Sequence, residues 1–240
     1  MTRIAIIAAL AGEMKPLVRG WGHERRNGVD VWRWGFDQGE WVAACAGAGQ
    51  AAATRAFAEA EKAGPINQVI STGWAGALND QLQTGRAYRV SAVVDARTGE
   101  RFATSDEGGD CLLVTSPKVA DGPEKQRLAA AYSGALVDME AAAIARLAHM
   151  REIPFYCVKG ISDGYNDQLP DFNRFIESDG QFQLSRFVLF SFLRPWYWPA
   201  LIQMGENSRK AAQSIAESLL ELLDERGQIR ERNGYPNPKH

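Results

Sequence analysis

The sequence predicts an α/β fold built around a mostly parallel or mixed sheet. Short apolar runs, which are typical of strands buried on both faces, alternate along the chain with Ala- and Glu-rich segments typical of helices. The 240 residues are 45% hydrophobic and 23% charged, a mixture that argues against a fibrous or wholly disordered protein. No internal repeat or long linker divides the chain, so we predict a single domain over 1–240, with residues 224–240 as a frayed tail.

The predicted elements follow one another from the N-terminus. Ile4–Ala9 is a continuous apolar run, interpreted as a first strand rather than a signal peptide, and a short helix over Glu13–Val18 follows it. Further strands are predicted at 29–34, 41–46, 68–71, 87–95, 112–115, 135–138 and 154–158, and the polar stretch 97–110 is a loop or a hairpin. Further helices are predicted at 50–63, 122–131, 139–150 and beyond 171, where Ala211, Ile215, Leu219 and Leu222 form one apolar stripe.

Charge balance and cysteine content narrow the classes of protein. Lys and Arg number 27 and Asp and Glu 29, so there is no basic excess, and we predict no nucleic-acid partner. Three cysteines without a CxxC pair disfavour a disulfide framework and favour a reducing, cytoplasmic location. No run of about 20 apolar residues predicts a membrane-spanning helix. The sequence lacks HExxH, GxSxG and P-loop motifs, and we expect neither a metal nor a cofactor.

A glycine-rich turn lies between a predicted strand and a predicted helix, at Gly47-Ala48-Gly49-Gln50-Ala51-Ala52. It matches the GxGxxA dinucleotide fingerprint, but the next strand, ending Val69-Ile70-Ser71-Thr72, lacks the acid that holds a ribose hydroxyl in such sites. Three interpretations stay open: a tight turn, a contact with phosphate or ribose, and a dinucleotide site.

Three acidic residues, Glu13, Glu140 and Asp163, each follow a predicted strand. Ligands of open α/β sheets bind outside the carboxyl ends of the strands, so these carboxylates are predicted to converge on one cleft. Each also has a structural alternative. Glu13 and Glu140 lie in first helical turns, where an acid complements the helix dipole, and Ser162-Asp163-Gly164 is ordinary turn chemistry.

Five segments carry a resemblance to a known family. They are IAIIAA at 4–9 with Glu13, AGAG at 46–49, STGWAG at 71–76, VDMEAAA at 137–143 and KGISD at 159–163. In this order they resemble the nucleoside phosphorylase/nucleosidase superfamily, in particular its 5′-methylthioadenosine/S-adenosylhomocysteine nucleosidases and its hopanoid-associated branch. The resemblance favours the catalytic over the structural interpretation of the three acids.

The resemblance implies a three-layer α/β/α sandwich around a central mixed sheet and cleavage of a purine N-glycosidic bond. It implies that Asp163 protonates the departing purine at N7, that Glu140 and Met139 hold the ribose, and that Glu13 positions or deprotonates the attacking water. The remaining residues predicted to bind substrate are Asp138, Ser162, Ala75, Gly76, Trp74, Gly49 and Val119. Because the purine needs a proton to leave, Asp163 must be kept protonated by burial or by a neighbouring acid.

The nucleophile and the base are predicted less directly. The loop 8–13 has no cation and Glu13 would repel phosphate, which favours water, while Lys118 and Arg97 keep a phosphorylase as the alternative. Family nucleosidases usually stack an aromatic side chain on the base, but the segment 116–120 has none. Trp74 stands where the family usually has a small residue.

The segment Phe182–Met204 is longer and more aromatic than the corresponding family segment. It is interpreted as a lid or a dimer contact, with an apolar 5′-substituent or a membrane surface as alternatives. The leading hypothesis is a purine nucleosidase, a homodimer, cytoplasmic or peripheral to the membrane. Its small-molecule substrate is a 5′-modified adenosine that resembles methylthioadenosine or S-adenosylhomocysteine, or a lipid-linked one such as adenosylhopane. A catalytically silent nucleoside-binding protein and a dinucleotide oxidoreductase are the alternatives from other classes.

Overall fold

The computed structural model describes residues 2–36, 39–167, 170–177, 180, 183, 186–187 and 194–225. The strands are β1 (Thr2–Ala8), β2 (Gly22–Arg26), β3 (Val29–Phe36), β4 (Gly39–Cys45), β5 (Gln68–Ala77), β6 (Ala87–Asp95), β7 (Arg101–Ala103), β8 (Cys111–Thr115), β9 (Leu136–Asp138) and β10 (Phe155–Asp163). The α-helices are α1 (Ala11–Met14), α2 (Gln50–Glu61), α3 (Gly122–Tyr132), α4 (Ala141–Met150) and α5 (Trp198–Glu225). Two short 3-10 helices cover Phe172–Phe175 and Pro195–Tyr197.

Each predicted strand is present, with some differences in length, and two further strands were not predicted. β5 and β10 run beyond their predicted ends at residues 71 and 158, so the motif at 71–76 and Asp163 itself lie on strands. The polar strand β2 was not predicted, because none of its five residues is fully buried and its sequence lacks apolar alternation. The stretch 97–110 contains β7, which pairs with β6 as a hairpin.

The sheet is mixed and partly closed. β5 pairs in parallel with β1 at one edge and with β10 at the other, and its last two residues pair antiparallel with β9. Because β10 also pairs with β6, β6 with β8 and β8 with β9, these five strands close a ring. β4, β3 and β2 extend the sheet beyond β1. β9 therefore reaches the middle of the molecule from a direction opposite to β5.

Two helical layers cover the sheet, as expected for a three-layer α/β/α fold. Ala5 and Ile7 of β1 belong to a core shared with α2 and α4, whereas Ile4 and Ile6 pack with α1 and α5 on the opposite face. The predicted stripe of α5 is fully buried against that face. β1 is thus buried on both sides, which accounts for its continuous apolar sequence.

Several segments for which the sequence makes predictions fall outside the described residues. This applies to residues 226–240 of the predicted tail, to residues 37–38 in the predicted turn after β3, and to most of Phe182–Met204 before Arg194. Among the helices that the structure describes, none is both long and apolar enough to cross a membrane.

Candidate active site

One cleft brings together ten of the eleven residues predicted to form the site. It has a volume of about 260 Å³ and lies where β1, β5, β9 and β10 end. The predicted residues lining it are Glu13, Trp74, Ala75, Gly76, Val119, Asp138, Met139, Glu140, Ser162 and Asp163. Gly49 lines an adjoining cavity of about 350 Å³ that shares Met139 with the cleft.

Glu13 is held by backbone N–H groups from two elements. Its Oε2 accepts hydrogen bonds from the amides of Ala9 (2.8 Å) and Leu10 (2.9 Å), and its Oε1 accepts one from the amide of Trp74 (3.0 Å). Gly73 makes this approach feasible, since a Cβ there would lie 2.8 Å from Oε2. Burial raises the pKa of Glu13, against the lowering effect of these hydrogen bonds and of Lys159.

Glu140 caps the N-terminus of α4 and is fixed from the glycine-rich turn. Its Oε1 accepts a hydrogen bond from the Gly49 amide at 2.6 Å, and its Oε2 accepts one from the Met139 amide at 3.2 Å. Gly49 has φ +91°, so this turn uses the left-handed region that glycine tolerates. An amide of this turn binds Glu140, the acid predicted to hold ribose. In a dinucleotide site, the corresponding turn binds the pyrophosphate instead.

Below this carboxylate lies a buried ion pair between Asp138 and Lys159. The Lys159 ammonium is 2.9 Å from Asp138 Oδ2 and donates to the Thr72 carbonyl, also at 2.9 Å. Asp138 further accepts hydrogen bonds from the Thr115 hydroxyl (2.7 Å) and the Ala141 amide (2.9 Å). Both side chains of the pair are fully buried, so Asp138 anchors the floor of the cleft rather than presenting an exposed carboxylate.

Asp163 ends β10 just after an irregularity in the strand pairing. The register of β10 against β5 shifts between Ile161 and Asp163, a bulge that re-aims the last side chain of the strand. Asp163 Oδ1 accepts a hydrogen bond from the Ser162 hydroxyl at 2.7 Å. Its Oδ2 lies 2.5 Å from the ammonium of Lys125, which also donates to the Gly164 carbonyl at 2.6 Å.

The residue that pairs with Asp163 differs in charge from the neighbour that was expected. A second acid was expected beside the Asp163 carboxyl, whereas its partner is a cation on α3, Lys125. A Cβ on Gly76 would lie 2.9 Å from Asp163 Oδ2 and 3.1 Å from Lys125 Cε, so the glycine leaves room for both.

Two other predicted residues lie at the mouth of the cleft. Trp74 donates its indole N–H to the Ser208 carbonyl of α5 at 3.0 Å, which turns its ring across the cleft wall. The Val119 amide donates a hydrogen bond to Asn173 Oδ1 at 2.8 Å, and Asn173 Nδ2 donates one to the Val119 carbonyl at 3.0 Å. Asn173 thus occupies the backbone hydrogen-bonding groups of Val119, a residue that was predicted to bind substrate.

No role was predicted for Lys125, Lys159, Phe172 or Ile176, which also line or underlie the cleft. Met204, which lines it too, is the last residue of the segment predicted as a lid or a contact. One feature of the sequence indicates a role for Lys125. A lysine near the start of a helix interacts unfavourably with the helix dipole, so a partner elsewhere is expected to stabilise it. Nothing in the sequence pairs Lys159 with Asp138, because the two meet only through β9 and β10.

The sequence also matches a known family directly. The match covers residues 3–122 and 113–186 and is to the phosphorylase superfamily. The chain belongs to the phosphorylase superfamily. No curated protein has a sequence that matches this chain.

Solved structures of this superfamily share the fold. A futalosine hydrolase of Helicobacter pylori has a TM-score of 0.70 at 16% identity, over 93% of this chain and 98% of that one. An Arabidopsis thaliana 5′-methylthioadenosine nucleosidase has a TM-score of 0.71 at 15% identity, over 97% of this chain and 98% of that one. An S-adenosylhomocysteine nucleosidase from Streptococcus pyogenes has a TM-score of 0.67 at 20% identity, over 93% and 97%. At these identities the likeness establishes the fold.

The cleft combines buried acids with a buried cation. Glu13 and Glu140 are buried acids whose pKa values lie above their ordinary values, and Asp163 stands beside a proton-bearing ammonium. Carboxylates placed around a developing positive charge stabilise it strongly in a site that excludes water. The described residues contain no group of three or more side chains suited to hold a metal ion.

Proposed function

We propose that this protein is a nucleosidase that hydrolyses the N-glycosidic bond of a 5′-modified purine nucleoside, with adenosine derivatives as the substrate class. The observation that carries the proposal is the convergence of Glu13, Glu140 and Asp163 on one cleft, from three separate parts of the chain. Their arrangement suits a reaction whose transition state is an oxocarbenium ion, positive on the sugar.

The proposed roles follow the positions of the three acids. The bond between C1′ and N9 breaks with its electron pair moving into the purine, which takes a proton at N7 from the Asp163 side of the cleft. Glu140 accepts hydrogen bonds from the ribose hydroxyls, and its carboxylate lies close to the developing positive charge. Water attacks C1′ and passes a proton to Glu13, whose raised pKa suits it to act as a base.

The surroundings of Glu13 favour water over phosphate as the nucleophile. A phosphate bound in this loop would need the backbone N–H groups of Ala9, Leu10 and Trp74, and all three already donate to the Glu13 carboxylate. A phosphate would also lie against a buried acid, at a cost in electrostatic repulsion. Lys118 lines the cleft and is the cation that a phosphorylase would use.

An apolar 5′-substituent is supported by the apolar residues that line the cleft. Leu10, Phe172, Ile176 and Met204 line it together with Trp74, so a nonpolar group extending from the ribose would meet apolar side chains. A methylthio group and a longer lipid chain both satisfy this chemistry. The homodimer, the cytoplasmic location and the lipid contact through Phe182–Met204 stay predictions.

The experiment that tests the proposal measures release of adenine from four substrates: adenosine, methylthioadenosine, S-adenosylhomocysteine and an adenosine with a long apolar 5′-chain. Each is assayed with and without phosphate. We expect release without phosphate and a preference for a 5′-modified member. Release only with phosphate would identify a phosphorylase, and binding of all four without release would identify a nucleoside-binding protein.

The same assay with Asp163→Asn and Glu13→Gln tests the assigned roles. Both variants should lose hydrolysis while still binding a non-hydrolysable substrate analogue, because each keeps its shape and loses a proton-transferring group. Glu217→Gln, on an exposed part of α5, is the matched control and should be unaffected. Near-normal turnover in either site variant would contradict the assignment.

A further inference from the structure

Lys125 is a buried lysine whose ammonium points into the site. Its side chain is only 3% exposed, yet it lines both the cleft and a second cavity of about 450 Å³, and Asp163 lines both as well. Two of its three N–H groups have protein acceptors, Asp163 Oδ2 at 2.5 Å and the Gly164 carbonyl at 2.6 Å. Burying an unpaired ammonium costs free energy, and the contacts with Asp163 and Gly164 offset that cost.

The ion pair raises a question about the proton. A purine leaves as an anion unless it is protonated, and the group that faces Asp163 is a lysine, whose ammonium can give up a proton. The pair as a whole still holds one transferable proton, on the nitrogen 2.5 Å from the carboxylate oxygen. Within the lining of the cleft, Lys118 is the other cation, and it is exposed to solvent.

We propose that Lys125 supplies the proton that Asp163 passes to the departing purine, so that the two residues form a relay. As the C1′–N9 bond breaks, a proton moves from the ammonium to the carboxylate and from the carboxyl group to N7. Lys125 becomes neutral, Asp163 is again a carboxylate, and the purine leaves uncharged. The proton that Glu13 takes from water returns to solvent, and one proton from solvent restores Lys125. This inference rests on the proposed nucleosidase function.

The second cavity offers a route by which Lys125 regains its proton. Its lining includes the polar residues Asp121, Tyr165, Asn166 and Asp167. A cavity of this size and polarity can hold several water molecules. Lys125 lines this cavity and Glu13 does not, so water held there can return a proton to the lysine at a distance from Glu13.

The test compares Lys125→Arg and Lys125→Gln with the wild type. Both side chains can donate hydrogen bonds toward Asp163 and Gly164, but arginine is not deprotonated in proteins and the glutamine amide carries no acidic proton. With the purine nucleoside that the wild type hydrolyses best, we expect both variants to lose about 10²-fold or more in kcat, the usual contribution of a general acid. KM should stay close to the wild-type value, since the hydrogen bonds remain.

A second substrate separates proton supply from a structural role. The leaving group of 4-nitrophenyl riboside departs as a stable phenolate without a proton, so the variants should hydrolyse it nearly as fast as the wild type. Arg127→Gln removes an exposed cation from the same helix and serves as the control for both substrates. Thermal unfolding reports whether each variant is folded.

The outcomes are distinct. A Lys125→Arg enzyme with wild-type kcat on the purine substrate overturns the relay, because a cation alone then suffices. Equal losses on both substrates also overturn it and assign Lys125 a structural role. A wild type that hydrolyses no nucleoside overturns the proposed function together with the relay, whereas the first two results leave the proposed function standing.

Discussion

Glu140 illustrates how a single residue couples the chemistry of the site to its environment. Burial, followed by the charge of Asp138, raises the pKa of Glu140 to about 7, and Lys159 opposes this shift. Burial would lower the pKa of Lys159, but the neighbouring carboxylates, Asp138 above all, raise it instead. The lysine stays charged and is what allows two acids to be buried side by side.

The raised pKa of Glu140 predicts a pH dependence of stability. Between its ordinary pKa of 4.5 and about 7, Glu140 binds a proton in the folded state that the unfolded state does not bind. Its contribution to the free energy of unfolding is therefore present below this range and is lost as the pH rises through it. We expect the fall in Tm from pH 5 to pH 8 to be smaller in Glu140→Gln than in the wild type.

The control for this measurement is Glu217→Gln, which removes an exposed carboxylate from α5. Its Tm should follow the wild-type pH profile. If Glu140→Gln followed that profile too, Glu140 would not be the group responsible.

The site is built from side chains near the ends of strands. Glycines of β5 determine how closely these side chains approach that strand. β5 runs past Glu13 on one side and past Asp163 on the other, and a glycine occupies each point of contact, Gly73 and Gly76. The bulge at the end of β10 turns Asp163 toward Lys125 at the start of α3. The motif at 71–76 is therefore a strand whose small residues admit two functional side chains.

For these elements we predict that two glycine substitutions change the free energy of unfolding in opposite directions. Gly73 has φ +121° and no room for a Cβ beside Glu13, so Gly73→Ala should lower the free energy of unfolding by about 1–3 kcal/mol and displace the Glu13 carboxylate. Gly205 lies within α5 with no atom near its absent Cβ, so Gly205→Ala should raise it by about 0.5–1 kcal/mol. Urea unfolding measures both changes, and kcat should fall only in the first variant.

Equal stability of Gly73→Ala and the wild type, with unchanged kcat, would show that Glu13 does not depend on this close approach.

The whole molecule presents an apolar surface at the start of α5. Trp196 and Ile202 are 68% and 64% exposed, and Leu10 at the mouth of the cleft is 37% exposed. Several large apolar side chains exposed together mark a contact surface, whereas single exposed apolar residues are common on any protein. The surface adjoins the cleft through Met204, so whatever covers it also affects access to the site.

For the molecule as a whole we predict a homodimer that uses this surface. Light scattering after size-exclusion chromatography should give a dimer for the wild type and a monomer for the double variant Trp196→Ser with Ile202→Ser, because the contact loses its largest apolar groups. Met150→Ser changes an equally exposed residue, 71% exposed at the end of α4, and should remain dimeric. A dimeric double variant that no longer sediments with lipid vesicles would instead assign the surface to lipid.

The α/β class, the buried strands, the stripe of α5 and the three acids at strand ends were determined by the sequence alone. These features depend on local periodicity and on residue types next to each other in the chain. The pairing of Lys125 with Asp163, the burial of Asp138 against Lys159, the antiparallel direction of β9 and the closure of the strand ring were decided only by the tertiary structure. Each of these joins residues far apart in sequence, Lys125 and Asp163 being separated by 38 positions, and local patterns carry no information about such partners. The protonation state of the site belongs to this second group, because it is set by which charges the fold buries together.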